Sequence, residues 1–261
     1  MPALKVKKIT QDSPNLKTYV LETTMRAQPG QFVMVWLPGV DEVPMSIGWK
    51  TKDEMHVGIA AAGDCTQAIF DQIQVGDKLG IRGPYGSTFK YKEYKKIILV
   101  GGGYGTPPLL NLAQKSTEAN IETTVILGGR SADHLLYEDQ FESLGCKLHV
   151  STDDGSKGYS GFCTDVLEEL LNKGKYDCVY TCGPELMMGK VAKLAKKQEM
   201  YCQVSLERYM KCGFGVCGQC CMDDSGIRIC KEGPVIEGEY ALKHPEFGNY
   251  SRGSSGKREE Y

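Results

Sequence analysis

Four cysteines near the end of the chain have the spacing of ligands to an iron–sulfur cluster. Cys212, Cys217 and Cys220 form the pattern C-x4-C-x2-C, and Cys230 follows after nine intervening residues. Plant-type [2Fe–2S] clusters are held by four thiolates at this spacing. The glycines between the cysteines suit a loop around inorganic sulfide, because residues without a Cβ permit left-handed turns. The segment therefore predicts a one-electron carrier.

Two other uses of cysteine compete with this interpretation. A structural zinc site with four cysteines usually takes them from two C-x2-4-C pairs, and here one pair would have to share a ligand. A disulfide framework is disfavoured by the chain length, by the lack of a signal peptide and by the odd total of 11 cysteines. Cys221 adjoins the motif but falls outside its spacing, so we interpret it as a buried or spare thiol, with substitution as a ligand as the alternative.

Composition limits the class of protein. The chain has 261 residues, of which 41% are hydrophobic. This is enough for one large domain or two of ordinary size, with their own hydrophobic cores. Its net charge of −2 gives no support to nucleic-acid binding or to a polybasic membrane anchor. No apolar stretch approaches the roughly 20 residues that cross a bilayer. Together with the abundant cysteine, these features predict a cytoplasmic protein.

The first third of the chain has the pattern of short strands. Five β-rich or alternating runs are separated by turn residues such as Pro29-Gly30, which predicts a small antiparallel barrel. The predicted strands cover residues 4–9, 16–22, 31–37, 55–61 and 78–83, and a helix is predicted over 64–74.

After residue 95 apolar strands alternate with amphipathic helices, which predicts a doubly wound parallel sheet with helices on both faces. The predicted strands cover 97–100, 123–127, 147–151 and 178–181, and the predicted helices cover 107–115, 164–171 and 185–198. We expect a multi-domain β plus α/β protein. It would have a barrel domain at 1–94, a nucleotide-binding domain at 95–204 and a small cluster domain at 205–261, in which 250–261 form a frayed polar tail.

Two motifs in the α/β region suggest a dinucleotide. The glycine-rich run 101–106 lies between a predicted strand and a predicted helix, where the backbone can approach a pyrophosphate at the helix N-terminus. Its spacing is not G-x-G-x-x-G, so a strand–helix turn without a ligand is the alternative. The run 181–184 closes the last predicted strand, which places Cys182 to touch a nicotinamide ring. Simple packing would explain Cys182 equally well.

Two barrel motifs, Pro44-Met45-Ser46 and Gly63-Asp64-Cys65-Thr66, are weak when taken alone, since ordinary turns explain them. In chain order, however, P-x-S, G-x-x-T, GGG-x-G-T-P, C-G-P-x-x-M-M and the cysteine motif resemble the ferredoxin–NADP reductase superfamily. Within it, the chain is similar to the electron-transfer subunits of dihydroorotate dehydrogenase B. The resemblance covers nearly the whole chain and is strongest over 206–212 and 230–235.

The resemblance implies FAD between the barrel and the nucleotide domain, NAD over the glycine-rich turn and a [2Fe–2S] cluster in the cysteine motif. The implied flavin contacts are Pro44, Met45, Ser46, Gly58, Ile59, Ala60, Cys65 and Thr66. The implied nicotinamide-dinucleotide contacts are Gly101, Gly102, Gly103, Gly105, Thr106, Cys182 and Gly183. The implied cluster ligands are Cys212, Cys217, Cys220 and Cys230. NADP stays open, because Arg130 follows the second parallel strand and could meet a 2′-phosphate.

One position departs from the family pattern. The family's arginine in R-P-x-S is Val43 here, so a cation near the flavin is missing. Another basic residue substitutes for it, or the flavin is bound more weakly, or FMN replaces FAD. We favour FAD. Cys65 also stands where the family often has a second glycine.

A flavin exchanges two electrons as hydride or one at a time, whereas a [2Fe–2S] cluster exchanges one. A chain that holds both converts between the two modes, and no side chain is needed as a catalytic acid, base or nucleophile. The resemblance implies a separate FMN-containing catalytic subunit that oxidises dihydroorotate in the biosynthesis of pyrimidines (UMP). It implies a heterotetramer with two copies of each subunit, in which electrons pass from FMN through the cluster and FAD to NAD+.

Two other functions stay open. An electron-transfer subunit of a sulfhydrogenase-type or other NAD(P)H-linked complex would have the same cofactors and a different partner. A nucleotide-binding redox sensor stabilised by zinc would use the same cysteines and would be colourless.

Overall fold

The first third of the chain closes into a six-stranded antiparallel barrel, because its strands alternate buried and exposed side chains. The computed structural model describes residues 1–261. The barrel strands are β1 (Ala3–Ser13), β2 (Leu16–Glu22), β3 (Phe32–Leu37), β4 (Asp41–Lys50), β5 (Glu54–Ala60) and β6 (Lys78–Tyr85). They join in the order β1-β2-β5-β4-β3-β6, and helix α1 (Asp64–Gln72) connects β5 to β6.

Strand β4 is not predicted by the sequence pattern, because Pro44 lacks an amide N–H and usually interrupts a strand. In the structure Pro44 lies opposite Met34 of β3, whereas β4 pairs with β5 only from Ile47 onward. One edge of β4 is therefore free of a strand partner around Pro44, so the missing N–H costs no ladder hydrogen bond on that edge. This free edge faces the α/β half of the molecule.

The second half contains the predicted parallel sheet, in the order β10-β9-β8-β7-β11-β12-β13. Its strands are β7 (Lys96–Gly102), β8 (Glu122–Gly129), β9 (Lys147–Thr152), β10 (Tyr159–Ser160), β11 (Cys178–Cys182), β12 (Tyr201–Ser205) and β13 (Val235–Glu237). The helices are α2 (Pro107–Glu118), α3 (Glu138–Ser143), α4 (Cys163–Lys173) and α5 (Glu185–Lys197). The side chains of β7 alternate between two cores, one packed against α2 and α3 and the other against α4 and α5. The doubly wound arrangement is confirmed.

The C-terminal segment packs against both halves. Strand β13 pairs antiparallel with β12, and helix α6 (Gly238–Ala241) lies against β12. The proposed domain boundaries at 94/95 and 204/205 stay predictions, and β13 lies beyond the second of them while extending the parallel sheet. None of the helices combines the length and apolar character needed to span a bilayer.

The expectation of a frayed tail is wrong in the structure. Residues 250–260 form a hairpin of β14 (Tyr250–Arg252) and β15 (Arg258–Glu260). The hydroxyl of Tyr250 donates to Asp223 over 2.8 Å, and Arg252 forms an ion pair with the same carboxylate. The Arg258 guanidinium lies 3.7 Å from the centre of the Tyr250 ring. The contacts with Asp223 join residues that are 27 and 29 positions apart in the sequence. Polar composition alone therefore does not predict the hairpin.

The linker between the halves is fixed by Phe89. This side chain is buried and meets the ring of Tyr180 edge-on, with 5.5 Å between centroids. The carbonyl of the next residue, Lys90, accepts hydrogen bonds from the Tyr180 hydroxyl and the Gln203 amide, both over 2.7 Å. The linker is therefore part of the packed structure.

Replacing Phe89 with Ala should lower the free energy of unfolding by about 3–5 kcal/mol, because the ring leaves a cavity between linker and sheet. Lys92→Ala, an exposed change in the same linker, should shift stability by no more than about 0.5 kcal/mol. Urea denaturation followed by circular dichroism measures both. Equal midpoints for the two variants would contradict the role of Phe89.

Candidate functional site

A cavity of about 700 Å³ lies between the barrel, the carboxyl end of the sheet and the C-terminal segment. Six of the eight predicted flavin contacts line it: Pro44, Met45, Ser46, Gly58, Ala60 and Thr66. The side chains of Ile59 and Cys65 instead pack in the barrel core, and burial raises the pKa of the Cys65 thiol. We call this space the flavin-side cavity. Apolar side chains such as Phe32 and Leu206 form part of its walls, as suits a ring system.

One wall of the flavin-side cavity is the beginning of α1. The Thr66 hydroxyl accepts hydrogen bonds from the N–H groups of Ala62 (3.1 Å) and Gly63 (2.9 Å) and donates to the Gly63 carbonyl, so it closes the turn. The amide N–H groups of Asp64, Cys65 and Thr66 have no acceptor in the protein. Free first-turn amides and the helix dipole attract anions. The cavity therefore fits a cofactor with a ring at one end and phosphate at the other.

A second cavity, of about 690 Å³, lies over the carboxyl ends of β7, β8 and β11. We call it the nucleotide-side cavity. Four predicted dinucleotide contacts line it: Gly102, Gly103, Gly105 and Gly183. Gly101 and Thr106 lie beneath the turn, where the Thr106 hydroxyl donates to the Gly103 carbonyl over 2.8 Å. Arg130 also lines this cavity.

The glycine-rich turn touches the end of β11 directly. A Cβ on Gly105 would collide with the backbone of Gly183, and a Cβ on Gly102 would lie 2.6 Å from the Met187 sulfur. Glycine is required here for close backbone approach. The contact brings the two candidate dinucleotide motifs, at 101–106 and 181–184, to one edge of the sheet.

Cys182 lines the flavin-side cavity and not the nucleotide-side one. Burial raises the pKa of its thiol well above the usual value, so the thiol is neutral at pH 7. Three residues line both cavities: Tyr104, Glu207 and Tyr261. The two spaces therefore adjoin, which is the arrangement that direct transfer between two bound rings requires.

A buried ion cluster lies behind this junction. The Arg208 guanidinium lies between the carboxylates of Glu185 and Glu246 with its side chain 4% exposed. Neighbouring Glu207 is exposed to solvent and borders both cavities. The sequence motifs do not reveal this cluster, although 206–212 is the segment of strongest family resemblance.

Backbone N–H groups of the cysteine loop donate hydrogen bonds to cysteine sulfur atoms. The N–H of Gly215 donates to Cys230 Sγ over 3.1 Å, and the N–H of Val216 donates to Cys212 Sγ over 3.3 Å. The glycines of the loop hold left-handed conformations, with φ of +78° at Gly213, +85° at Gly215 and +74° at Gly218. Burial opposes ionisation of Cys212, but backbone N–H groups of the loop outweigh it and lower the pKa to about 6.

The N–H of Cys230 donates to Cys220 Sγ over 3.3 Å, so three of the four sulfur atoms, those of Cys212, Cys220 and Cys230, accept hydrogen bonds from this segment. No three His, Cys, Asp or Glu side chains are placed to hold a single metal ion. Four thiolates in one short segment suit a cluster with two irons and two thiolates on each. The loop therefore fits the group that its spacing predicts.

The loop begins at the wall of the flavin-side cavity. Met210 lines that cavity, and Cys212 follows two residues later. Gly213 packs against Met34 of β3 and Tyr85 of β6, so the loop rests on the barrel. On its outer side, Phe214 and Val216 are 50% and 76% exposed, next to the exposed thiol of Cys217. The cysteine loop thus reaches from the cavity wall to the surface.

Fold and sites together define a reductase with a barrel and a dinucleotide domain. Comparison with protein families and solved structures supports this class. Residues 99–193 match the model of the oxidoreductase NAD-binding domain, and 207–241 match that of the iron–sulfur cluster binding domain of dihydroorotate dehydrogenase B. The NADH-dependent reduced ferredoxin–NADP oxidoreductase structure superposes with a TM-score of 0.83 at 27% identity, over 92% of this chain and 89% of that one. Phthalate dioxygenase reductase has a TM-score of 0.63 at 17% identity, over 75% and 64% of the two chains, and shows the fold alone.

Full-length relatives specify the family. The probable dihydroorotate dehydrogenase B (NAD(+)) electron transfer subunit of Methanocaldococcus jannaschii is 43% identical over 98% of this chain and 97% of its own. That of Methanothermobacter thermautotrophicus is 40% identical over 98% of this chain and 96% of its own. The chain belongs to the family of dihydroorotate dehydrogenase B electron transfer subunits, as the sequence resemblance indicated.

Replacing Gly105 with Ala should displace the glycine-rich turn from Gly183, since the added Cβ has no space. We expect a loss of stability of about 1–3 kcal/mol and weaker binding of NAD+, measured by calorimetry. Gly189→Ala, in α5 where a Cβ meets nothing, should be neutral or slightly stabilising. Unchanged NAD+ affinity in the Gly105 variant would contradict the placement of the dinucleotide.

Proposed function

We propose that this chain carries electrons between NAD and a catalytic partner subunit through FAD and a [2Fe–2S] cluster. As in the family to which it belongs, the chain acts as the electron transfer subunit of a dihydroorotate dehydrogenase B. The observation that carries this proposal is the order of the three sites. The nucleotide-side cavity shares walls with the flavin-side cavity, and Met210 of the flavin-side wall is two residues from Cys212.

When bound, a flavin exchanges two electrons with a nicotinamide and single electrons with an iron–sulfur cluster. The side chains bind and orient the cofactors. Pro44, Met45 and Ser46 lie along the wall of the flavin-side cavity, and the neutral Cys182 thiol also lines this cavity without adding charge. Thr66 in the first turn of α1 lines the same cavity, and the free amides there would suit the phosphate end of the cofactor. No histidine lines the flavin-side cavity, and the transfer needs no general acid or base.

An anaerobic absorption spectrum tests this function directly. The protein should show flavin bands together with broad iron–sulfur absorption, and NADH should bleach both. A colourless protein with bound zinc would instead support the redox-sensor alternative.

The cluster ligands are proposed to be Cys212, Cys217, Cys220 and Cys230. Cys220→Ser should remove most of the iron and acid-labile sulfide, because one of four thiolates is lost, while the flavin stays bound. Cys221→Ser, a change at the next residue, should keep iron and sulfide at wild-type levels. Iron retained in the first variant and lost in the second would contradict this assignment.

The proposed partner is an FMN-containing dehydrogenase subunit that converts dihydroorotate to orotate in the biosynthesis of pyrimidines, assembled as two copies of each chain. The exposed apolar side chains Phe214 and Val216 beside Cys217 support a docking surface at the cysteine loop. A partner seated there would approach the cluster without crossing the barrel. None of the eleven cysteines forms a disulfide, which supports a reducing cytoplasm as the location.

A tagged form of the chain should recover an FMN-containing dehydrogenase subunit in equal amount, in a complex with the mass of a heterotetramer. Val216→Glu should reduce that recovery while iron content stays unchanged, because a charge would be buried at the interface. Glu239→Gln, an exposed change in α6, is the control. Recovery of a hydrogenase subunit would instead favour the sulfhydrogenase-type alternative.

A further inference from the structure

The flavin-side cavity has little positive charge for a cofactor that carries two phosphates. Val43, which stands at the position of the family's arginine, packs against the barrel core and does not line the cavity. The charged residues that do line it are Glu207, Arg208 and Arg252. A diphosphate bound in this space therefore has two arginines as possible partners.

Arg208 is already neutralised within the protein. Its Nη1 contacts the Glu185 carboxylate, and its Nε donates to Glu246 over 2.7 Å. Nη1 also donates to the carbonyl of Glu207 over 2.6 Å. Two buried carboxylates compensate the charge of this guanidinium and its side chain is 4% exposed, so it is mainly part of the fold, although its Nη2 makes no hydrogen bond within the protein.

Arg252 differs, because it pairs with a single carboxylate and its side chain is 43% exposed. Its Nε donates to Asp223 Oδ1 over 3.0 Å, its Nη2 donates to Oδ2 over 2.9 Å, and its Nη1 donates to the Gly256 carbonyl over 2.8 Å. Asp223 does not line the cavity. A guanidinium has five N–H groups, so one N–H on each terminal nitrogen is left without a partner in the protein. Asp223 thus orients a planar donor pair of the kind that binds phosphate oxygens.

We propose that Arg252 provides the cation that position 43 lacks, and that it binds the diphosphate of FAD. The inference rests on the proposed flavin site and names a residue for it in the C-terminal hairpin. Arg252 and Thr66, whose N–H is one of the free amides in the first turn of α1, line the same cavity, and a diphosphate that binds both is what the proposal requires. The hairpin of β14 and β15 is then part of the flavin site.

The test is flavin affinity in the full-length chain after the flavin has been removed. FAD is titrated back and its fluorescence quenching gives the dissociation constant. Arg252→Gln should weaken FAD binding about tenfold, the lower end for hydrogen bonds to charged groups, since the side chain is 43% exposed. Arg252→Lys keeps the positive charge without the planar pair of donors, so it should lose less FAD affinity than Arg252→Gln. The effect should shrink as salt rises.

Riboflavin, which has no phosphate, and a neighbouring arginine provide the controls. Riboflavin affinity should be the same in wild type and Arg252→Gln. Arg258→Gln removes an arginine from the same hairpin that does not line the cavity, and FAD affinity should be unchanged. Circular dichroism confirms that each variant folds.

Wild-type FAD affinity in Arg252→Gln would overturn the inference, as would an equal loss in Arg258→Gln, which would indicate a general effect of the hairpin. Equal losses for FAD and riboflavin would place Arg252 at the ring and also overturn it. A wild-type chain that binds no flavin would instead refute the proposed function, so the two failures are distinguishable.

Discussion

The Arg208 guanidinium between two buried carboxylates is the interaction on which the cofactor arrangement depends. Glu185 begins α5 at the end of the parallel sheet, whereas Glu246 belongs to the C-terminal segment. Removing one partner from a buried ion pair costs about 3–5 kcal/mol, because the other charge is left uncompensated. The cluster therefore fixes the start of the segment that continues to Met210 and Cys212. The distance between the flavin-side cavity and the cysteine loop follows from this anchor.

The remaining geometry brings two-electron and one-electron chemistry together in one chain. The free edge of β4 and the carboxyl ends of the parallel strands face each other, and the C-terminal segment closes the space between them. Tyr104, Glu207 and Tyr261 belong to the walls of both cavities. The cysteine loop extends from the same wall to the surface. Its sulfur atoms accept hydrogen bonds from backbone N–H groups. Each site is thus adjacent to the next.

Features with local causes could be predicted from the sequence. The cysteine spacing, the glycine-rich turn and most strands depend on residues that are neighbours in the chain. Strand β4 could not be predicted, because Pro44 is tolerated only where one strand edge has no partner. The Arg208 cluster joins residues 23 and 38 positions away, and the hairpin at 250–260 depends on Asp223. Contacts of this kind leave no periodic signal. The proposed role of Arg252 in place of the arginine missing at position 43 could not be predicted either, because it depends on which residues line the folded cavity.

The number of electrons that one chain accepts tests the central claim most directly. Anaerobic titration with dithionite, followed by absorption and electron paramagnetic resonance, counts them. A flavin takes two electrons and a [2Fe–2S] cluster takes one, so the account predicts about three per chain and a paramagnetic signal from the reduced cluster. An end point at two electrons without that signal would contradict it, because no one-electron carrier would lie beside the flavin.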